Sequence, residues 1–291
     1  MANEKVYKVV EENLIKLIEA GADNWVKPWE DQSFDGTKNF VSGKLYRGIN
    51  ALTTGIAASI YGCPYFITMK QLKAKGGKLD GKQSYLPVVF WKWIKIEEKD
   101  EAGNKTGEEK KIPFARFYQV YNLAQTTLTW EKPTEEAPKF TPIQRAEKLA
   151  KLFKDSPEVK HAEQRAYYSP TSDYINMPKK ETFKSSEEYY STLYHEMAHS
   201  TGHKNRLNRK EVVEANFFGS DDYSKEELTA EFTAAFLCGK AGIEKTFKNS
   251  AAYLASWCKK LAAEKTGQLV TAAQRAQKAA DYIQGIKAEE K

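Results

Sequence analysis

Three of the four histidines in the chain lie within residues 195–203, and their spacing is the strongest constraint on the fold. His195, Glu196 and His199 form the pattern H-E-x-x-H. Residues four apart on an α-helix project from one face, so both imidazoles reach a single metal ion only if this segment is helical. The carboxylate of Glu196 then lies beside them, where it can act as a general base toward water. A surface helix with incidental histidines is the alternative, and the clustering disfavours it.

The third metal ligand is predicted from a separate helical segment, SKEELTAEFTAAFLC. Glu227 and Glu231 are four residues apart in it, so one carboxylate can bind the metal while the other holds a ligand histidine by its second ring N–H. The layout resembles the glutamate helix of the gluzincins, in which the first acid is the ligand. We therefore assign Glu227 to the metal and Glu231 to the outer layer of the site.

Two alternatives remain open for this third position. His203 lies one helical turn beyond His199 and is an alternative ligand, although Gly202 favours the end of the helix there. Glu227 also fits a capping box that begins at Ser224, in which case it is only a helix cap. The expected metal is one Zn²⁺ per chain or another divalent ion, and zinc in such a site lowers the pKa of water to about 7.

The first half of the chain is basic and aromatic. Residues 36–96 contain ten lysine or arginine residues and one acid, a net charge of +9 within a chain whose total is +6. Nine aromatic residues are interleaved with these cations. Cations that follow phosphates and rings that stack on bases are typical of proteins that bind single-stranded nucleic acid. A single-stranded nucleic acid is therefore the predicted partner of this half.

Within this half we expect the nucleic-acid contacts at eight positions. In the segment 46–50, glycine permits close backbone approach beside a cation and an amide. In the segment 91–93, the two indoles share one face of a strand and the lysine projects from the other. The predicted contacts are Lys38, Tyr46, Arg47, Asn50, Lys70, Trp91, Lys92 and Trp93. The alternative is that the aromatic residues fill a core and the lysines form its solvated rim, which we expect for Phe90, Tyr61, Tyr65 and Phe66.

Hydrophobic periodicity and turn residues predict an α+β protein with two parts. Residues 1–130 are expected to form a small sheet-and-helix domain that includes a hairpin with a solvated loop at 97–111. The proline-rich residues 131–142 are the expected linker. Residues 143–291 are expected to form a mostly helical zincin-like domain with a short edge sheet.

The compartment is predicted from cysteines and hydropathy. Three widely spaced cysteines without a CxxC pair favour reduced thiols and a cytoplasmic location. Charges occupy the N-terminal positions where a signal peptide has its apolar core. The longest weakly polar stretch falls short of the roughly 20 apolar residues that span a bilayer, so no membrane partner is expected.

Taken together, these segments resemble the ArdC family of antirestriction proteins. The resemblance rests in the first half on PW at 28–29, SGKLYRGIN, FITMKQLKAKGGKLDGK and PVVFWK, and in the second on HEMAHSTGHKNRLNR and YSKEELTAEFTAAFLCGKAGI. It implies an N-terminal single-stranded-DNA-binding domain, a zincin-like metallopeptidase domain, and protection of incoming DNA of a mobile element from host restriction. It also implies metal ligands at His195 and His199 and a catalytic Glu196.

Two functions are favoured by the sequence over a third, a pure binding module with a structural zinc, because a structural site more often uses cysteine. In the first, the chain binds single-stranded DNA and its peptidase site acts on a protein such as a restriction subunit. In the second, it is a regulatory zinc metallopeptidase that cleaves a protein partner, and DNA binding is incidental.

Overall fold

The computed structural model describes residues 2–21, 36–99, 105–130, 142–214, 221–243 and 247–287. Two of the predicted features lie partly or wholly outside these ranges. The PW segment at 28–29 is one, and the predicted linker is the other, since only its last residue, Pro142, is described. The division into two domains at this linker therefore stays a prediction.

Helices and strands alternate in the first half, and helices dominate the second. The helices are α1 Ala2–Gly21, α2 Ile49–Tyr61, α3 Met69–Ala74, α4 Pro142–Leu152, α5 Ser186–Ser200, α6 Lys210–Val213, α7 Asp221–Ala241, α8 Phe247–Glu264 and α9 Gln268–Gln284. The strands are β1 Lys38–Asn39, β2 Tyr65–Thr68, β3 Leu86–Lys99, β4 Lys105–Asn122, β5 Glu158–Lys160, β6 Tyr167–Ser169 and β7 Tyr174–Asn176.

The first sheet is built around the long hairpin of β3 and β4. Its strand order is β1-β2-β4-β3, with β1 parallel to β2 and the other pairs antiparallel. The hairpin predicted in the first half of the chain is confirmed. Because β3 lies at the edge of the sheet, its outer backbone groups need other partners, and α2 supplies one of them at Val89.

The loop predicted at 97–111 is too long. The strands continue well into it, since Glu97 pairs with Glu109 and Lys99 with Lys105. Direct partners in this part of the ladder carry like charges, as Glu97 and Glu109 do, so charge pairing across the ladder does not explain the extension. A diagonal ion pair offsets part of this repulsion, since the ammonium of Lys95 lies 2.5 Å from the Glu109 carboxylate.

The second sheet is small and lies against the histidine helix. Its order is β5-β7-β6, with β7 parallel to β5 and antiparallel to β6. Tyr168 and Ile175 from this sheet belong to the same buried cluster as Tyr189 and Leu193 of α5. The short edge sheet predicted for the second half is confirmed, and it fixes one side of α5.

One buried cluster is filled from both halves of the chain. From the first half it takes side chains such as Leu14, Ile56 and Val89, and from the second half side chains such as Phe232 and Leu269. A core shared in this way stabilises each half through the other.

Polar contacts reinforce this shared core. The buried carboxylate of Glu11 in α1 accepts hydrogen bonds from the backbone N–H groups of Gly267, Leu269 and Val270 at the start of α9. Three of the free N–H groups at a helix N-terminus are satisfied in this way. Helix α9 of the second half is therefore capped by a side chain of the first.

The architecture is α+β, as predicted, with a sheet-and-helix N-terminal part and a mostly helical zincin-like part that carries a short sheet. None of the described helices is both long and apolar enough to cross a membrane.

Candidate metal centre and nucleic-acid interface

Helix α5 carries the H-E-x-x-H pattern and begins at a strong cap. The Ser185 hydroxyl accepts a hydrogen bond from the backbone N–H of Glu188 at 3.2 Å. The buried Tyr194 donates its hydroxyl to the carbonyl of Ala146 in α4. Because the helix is held along its length, the directions of the His195 and His199 side chains are fixed.

Helix α7 faces α5 and begins earlier than the sequence suggests. It starts at Asp221, so Ser224 is a buried residue inside the helix rather than its cap. The interpretation of Glu227 as the third residue of a capping box is therefore wrong. Glu227 instead projects toward the histidines of α5.

Three side chains point their ligand atoms at one position. His195 Nε2 and His199 Nε2 lie 3.1 Å apart, and Glu227 places one oxygen 3.4 Å from the first nitrogen and the other 3.5 Å from the second. Tetrahedral zinc with bonds of about 2.0–2.1 Å holds its ligand atoms about 3.3 Å apart. The three side chains therefore have the spacing that a tetrahedral ion requires. Among the described residues they form the cluster that could hold a metal ion, and we call them the metal group.

Glu226, which was not among the predicted site residues, supports this group from the outer side of His199. Its Oε1 lies 3.1 Å from Nδ1 of His199, on the side of the ring away from Glu227. Arg209 donates two hydrogen bonds to the same carboxylate, at 2.6 and 2.8 Å. Glu231 lies more loosely beside the other ring, 3.5 Å from Nδ1 of His195. Each histidine therefore has a carboxylate at its second nitrogen.

The electrostatics of the site favour a cation. Burial lowers the pKa of His199, but its hydrogen bonds to Glu226 and Glu227 outweigh burial and raise the pKa to about 10. The pKa of His195 is also raised, chiefly by Glu227 against burial. The pKa of Glu226 is lowered, because Arg209 and His199 outweigh its burial. The carboxylates thus create a negative environment in which positive charge is stabilised.

Gly202 allows Arg209 to reach Glu226. A Cβ atom at Gly202 would lie 2.5 Å from a Val212 methyl group and 3.0 Å from the Arg209 guanidinium, closer than real contacts allow. Arg209 is buried, and its other donors reach the Thr201 hydroxyl and the carbonyl of Ala198 at 2.7 Å each. The turn after α5 and the support of His199 therefore form one packed unit.

His203, the alternative ligand, is not a member of the metal group. Its Nδ1 lies 4.0 Å from Asp173 and accepts a hydrogen bond from the backbone N–H of Asn205. Asp173 in turn accepts two hydrogen bonds from Arg206, at 2.8 and 2.9 Å. His203 thus belongs to a structural network behind the end of α5. The catalytic candidate Glu196 is buried on α5 beside His195.

The segment 46–50, expected to contact nucleic acid, is engaged inside the protein. Tyr46 packs edge-on against Phe66, and burial raises its pKa to about 12. Asn50 is 5% exposed and uses its amide to donate to the carbonyl of Val89 and to accept from its N–H. This placement gives Tyr46 and Asn50 a structural role and leaves them no surface for DNA.

Arg47 and Gly48 join this segment to α9. The Arg47 guanidinium pairs with Asp281, and the backbone N–H of Gly48 donates to Gln277 at 3.0 Å. Gly48 has a φ of 56°, a conformation that favours glycine. Gly48 therefore allows a contact between the two halves of the chain, rather than the close approach of DNA that was expected.

The remaining predicted contacts lie on or near the surface. Lys70 and Lys92 are exposed, and Lys38 is half-buried. Trp93 is 60% exposed, whereas Trp91 packs into the shared core and donates its indole N–H to the Tyr7 hydroxyl at 3.1 Å. Trp91 and Trp93 share one face of β3, but α1 covers only the first of them.

The opposite face of the hairpin carries exposed aromatic residues that were not among the predicted DNA contacts. Phe90, expected in the core, is 49% exposed, and Tyr118 is 46% exposed. Their rings meet edge-on with centroids 5.6 Å apart. Tyr61, also expected in the core, is 40% exposed, whereas Phe66 is buried as expected and Tyr65 is only half-buried. Alternation along β3 places Phe90 on the same face as Lys92 and so groups the two residues, but it does not say which face is exposed.

Both halves of the chain match known protein families. Residues 4–121 match the N-terminal domain of anti-restriction factor ArdC, and residues 144–275 match a zincin-like metallopeptidase family. The structure is similar to the Mn(II)-bound crystal structure of the antirestriction ArdC protein from the R388 plasmid. That similarity has a TM-score of 0.69 and 32% sequence identity, and it covers 98% of this chain and 99% of that one.

Curated relatives extend this likeness. An uncharacterized protein, y4eC, of Sinorhizobium fredii (strain NBRC 101917 / NGR234) is 32% identical over 96% of this chain and 91% of its own length. DNA primase TraC of Escherichia coli is 33% identical over 95% of this chain, but the chain spans only 27% of TraC. The matches cover both halves of the chain in one order. The chain therefore belongs to the ArdC family of antirestriction proteins.

Proposed function

We propose that this protein is encoded by a mobile element, binds single-stranded DNA, and protects incoming DNA from host restriction, and that it carries a metal-dependent peptidase site. The observation that carries the peptidase part is the convergence of His195, His199 and Glu227 within 3.1–3.5 Å. The DNA part is supported by the net charge of +9 on residues 36–96 and by the exposed rings of the hairpin. Membership of an antirestriction family supports the protection of DNA.

For the metal we propose one Zn²⁺ per chain, held by His195, His199 and Glu227. Two imidazoles and one carboxylate suit zinc, and Mn²⁺ is the second candidate because the R388 protein has a Mn(II)-bound structure. Zinc held there would act as a Lewis acid on a peptide carbonyl and lower the pKa of water.

In this proposal the chain's own residues divide the remaining work. Glu226 accepts the Nδ1 proton of His199 in a hydrogen bond, which keeps Nε2 free as a ligand atom. Glu231 acts in the same way on His195. The carboxylate of Glu196 takes the proton of the attacking water and passes it to the leaving amine. The burial of Glu196 beside His195 supports this role.

The metal assignment is tested by metal analysis of the full chain. Wild-type protein is expected to retain one zinc per chain after dialysis, and Glu196→Gln is expected to retain it as well. Replacement of His195 by Ala should remove it. A wild-type chain that holds no divalent metal would contradict the proposal.

The DNA part is tested by fluorescence anisotropy of a labelled single-stranded oligonucleotide titrated with the full chain, with a duplex control. Binding to the single strand should weaken as salt rises, with a slope near −0.7 per phosphate contact. The full chain is required because the two halves share a core. Equal binding of strand and duplex, or no binding, would contradict this part.

The second candidate function is a regulatory zinc metallopeptidase that cleaves a protein partner, with DNA binding incidental. The intact H-E-x-x-H helix favours it, and a protein of the restriction system is the proposed substrate in either case. Glu196→Gln separates the two, because it should remove hydrolysis and leave DNA binding unchanged. Protection that survives this substitution assigns the function to DNA binding, and protection that disappears assigns it to the peptidase.

We also propose a cytoplasmic location for this function. The three cysteines, all within the described residues, are buried and form no disulfide with one another, as in proteins of reducing compartments.

A further inference from the structure

We infer that the single strand binds on the open face of the β3–β4 hairpin, defined by Phe90, Lys92, Phe114, Arg116 and Tyr118. This inference rests on the proposed binding of single-stranded DNA and assigns it to a surface. We call this set the hairpin face. It differs from the contacts expected from the sequence, of which it keeps only Lys92.

Strand register places these five side chains on one side of the sheet. Phe90 pairs with Arg116 and Lys92 pairs with Phe114, and paired residues of an antiparallel ladder project to the same side. Tyr118 pairs with Val88, two pairs further along and therefore on the same side, and its ring contacts that of Phe90. The intervening residues Trp91 and Ala115 project to the other side and pack in the shared core.

The hairpin face offers flat rings to a ligand. Phe90 and Tyr118 are each nearly half exposed, although burial of such rings is strongly favourable. Phe114 lies two residues along the strand from Arg116, and two residues advance about 7 Å. Its ring is accompanied by the Arg116 guanidinium, 5.6 Å from the ring centroid. The face therefore has two aromatic positions at a spacing that suits successive bases.

The charge of the hairpin face complements a phosphate backbone. Lys92 and Arg116 are exposed, and between positions 88 and 94 of β3 and 112 and 118 of β4 the chain has no acidic residue. Cations beside exposed rings match the phosphates and bases of a strand whose base faces are free. A duplex hides those base faces in its stack, so this surface fits a single strand.

The opposite side of the same strand provides a matched comparison. Trp93 is 60% exposed there, next to Trp91, and was expected to bind DNA from the sequence. Because Trp93 projects to the other side of the sheet, it is not part of the hairpin face. Substitutions on the two sides of one strand therefore distinguish the two surfaces without changing the fold.

The test compares full-length variants in the anisotropy titration with labelled oligothymidine. Phe90→Ala with Tyr118→Ala should weaken binding about tenfold or more, because each stacked base contributes strongly to affinity. Lys92→Ala with Arg116→Ala should make the salt slope less steep by about 1.4, the amount expected for two lost phosphate contacts. Trp93→Ala is the aromatic control, and Lys265→Ala with Lys278→Ala removes the same charge from the second half of the chain.

The outcomes separate this inference from the proposed function. If wild-type protein binds the strand and only the hairpin-face variants lose affinity, the assignment holds. If wild-type protein binds and the hairpin-face variants bind equally well, or Trp93→Ala loses as much, the assignment is overturned while DNA binding remains. If wild-type protein does not bind, both are overturned. A single-stranded RNA of matched sequence that binds more tightly overturns the choice of DNA.

Discussion

Glu226 and His199 lie 3.1 Å apart on facing helices, and the same carboxylate is held by Arg209 through two hydrogen bonds. Because all three groups are buried or nearly so, the orientation of the His199 ring is fixed by a charged network rather than by packing alone. The same network fixes the position of Nε2 of His199, which is the ligand atom in the proposed metal site.

Substitution of Glu226 by Gln should weaken metal binding. Loss of a carboxylate behind a ligand histidine typically lowers metal affinity about 10- to 100-fold, because the ring is less well oriented and less basic. The measurement is competition with a chromophoric chelator. Glu231→Gln should have a smaller effect, because Glu231 lies 3.5 Å from His195 and is less buried.

Stability must be separated from affinity in this experiment. Glu226→Gln also leaves the Arg209 charge buried without its partner, which costs about 3–5 kcal/mol of unfolding free energy. The double variant Glu226→Gln with Arg209→Met removes that charge and should recover much of the stability but not the metal affinity. Recovery of both would mean that Glu226 acts only on stability.

Substitution of Glu227 by Ala should reduce bound zinc well below one per chain. Glu227 supplies the third ligand atom, and two imidazoles alone hold zinc weakly. Glu231→Ala is the matched control on the same helix face and should keep the metal. An unchanged zinc content in Glu227→Ala would remove Glu227 from the ligand set.

Asp173→Asn should lower stability at neutral pH but not in acid. Burial raises the pKa of Asp173, but hydrogen bonds from Arg206 and Tyr168 outweigh it, so the pKa is lowered. A carboxylate with a lowered folded pKa stabilises the protein above its unfolded pKa of about 3.9, and this stabilisation is lost as pH falls through the folded value. Asn retains the left-handed backbone of Asp173, whose φ is 47°.

The expected difference between wild type and Asp173→Asn is about 1 kcal/mol at neutral pH, because partial exposure screens the pair. Urea unfolding at several pH values measures it, and the difference should shrink below about pH 4. A difference that is the same at pH 3 and pH 7 would show that charge plays no part.

Phe232→Ala should destabilise both halves of the chain together. Phe232 is almost fully buried in the cluster that both halves fill, and such a truncation costs about 3–5 kcal/mol. Unfolding followed by tryptophan fluorescence and by far-UV circular dichroism should shift by the same amount. Val213→Ala, at an exposed position, should stay within about 0.5 kcal/mol. Two separate transitions would mean that the halves fold independently.

The histidine helix was predictable because its information is local. The i, i+4 spacing of His195 and His199 requires a helix, and the same spacing in α7 offered Glu227. The role of Glu226 was not predictable, because it depends on Arg209, 17 residues earlier in the chain, and on the close approach that Gly202 permits.

The segment 46–50 shows why the DNA contacts were harder to predict. Its cation, glycine and amide suggest a surface motif, but Asn50 bonds Val89 across 39 residues and Arg47 pairs with Asp281 across 234. Because side chains alternate along β3, Phe90 and Trp91 are expected to project to opposite faces. Which of the two faces is covered depends on α1, and nothing local in the strand specifies that.

The central claim, that the chain protects incoming DNA from restriction, is tested most directly by transformation of a restricting host. Cells that express the wild-type chain, and cells with an empty vector, receive the same unmodified DNA, with modified DNA as the reference. We expect the wild-type chain to raise the yield from unmodified DNA toward that from modified DNA. Equal restriction with and without the chain would contradict it.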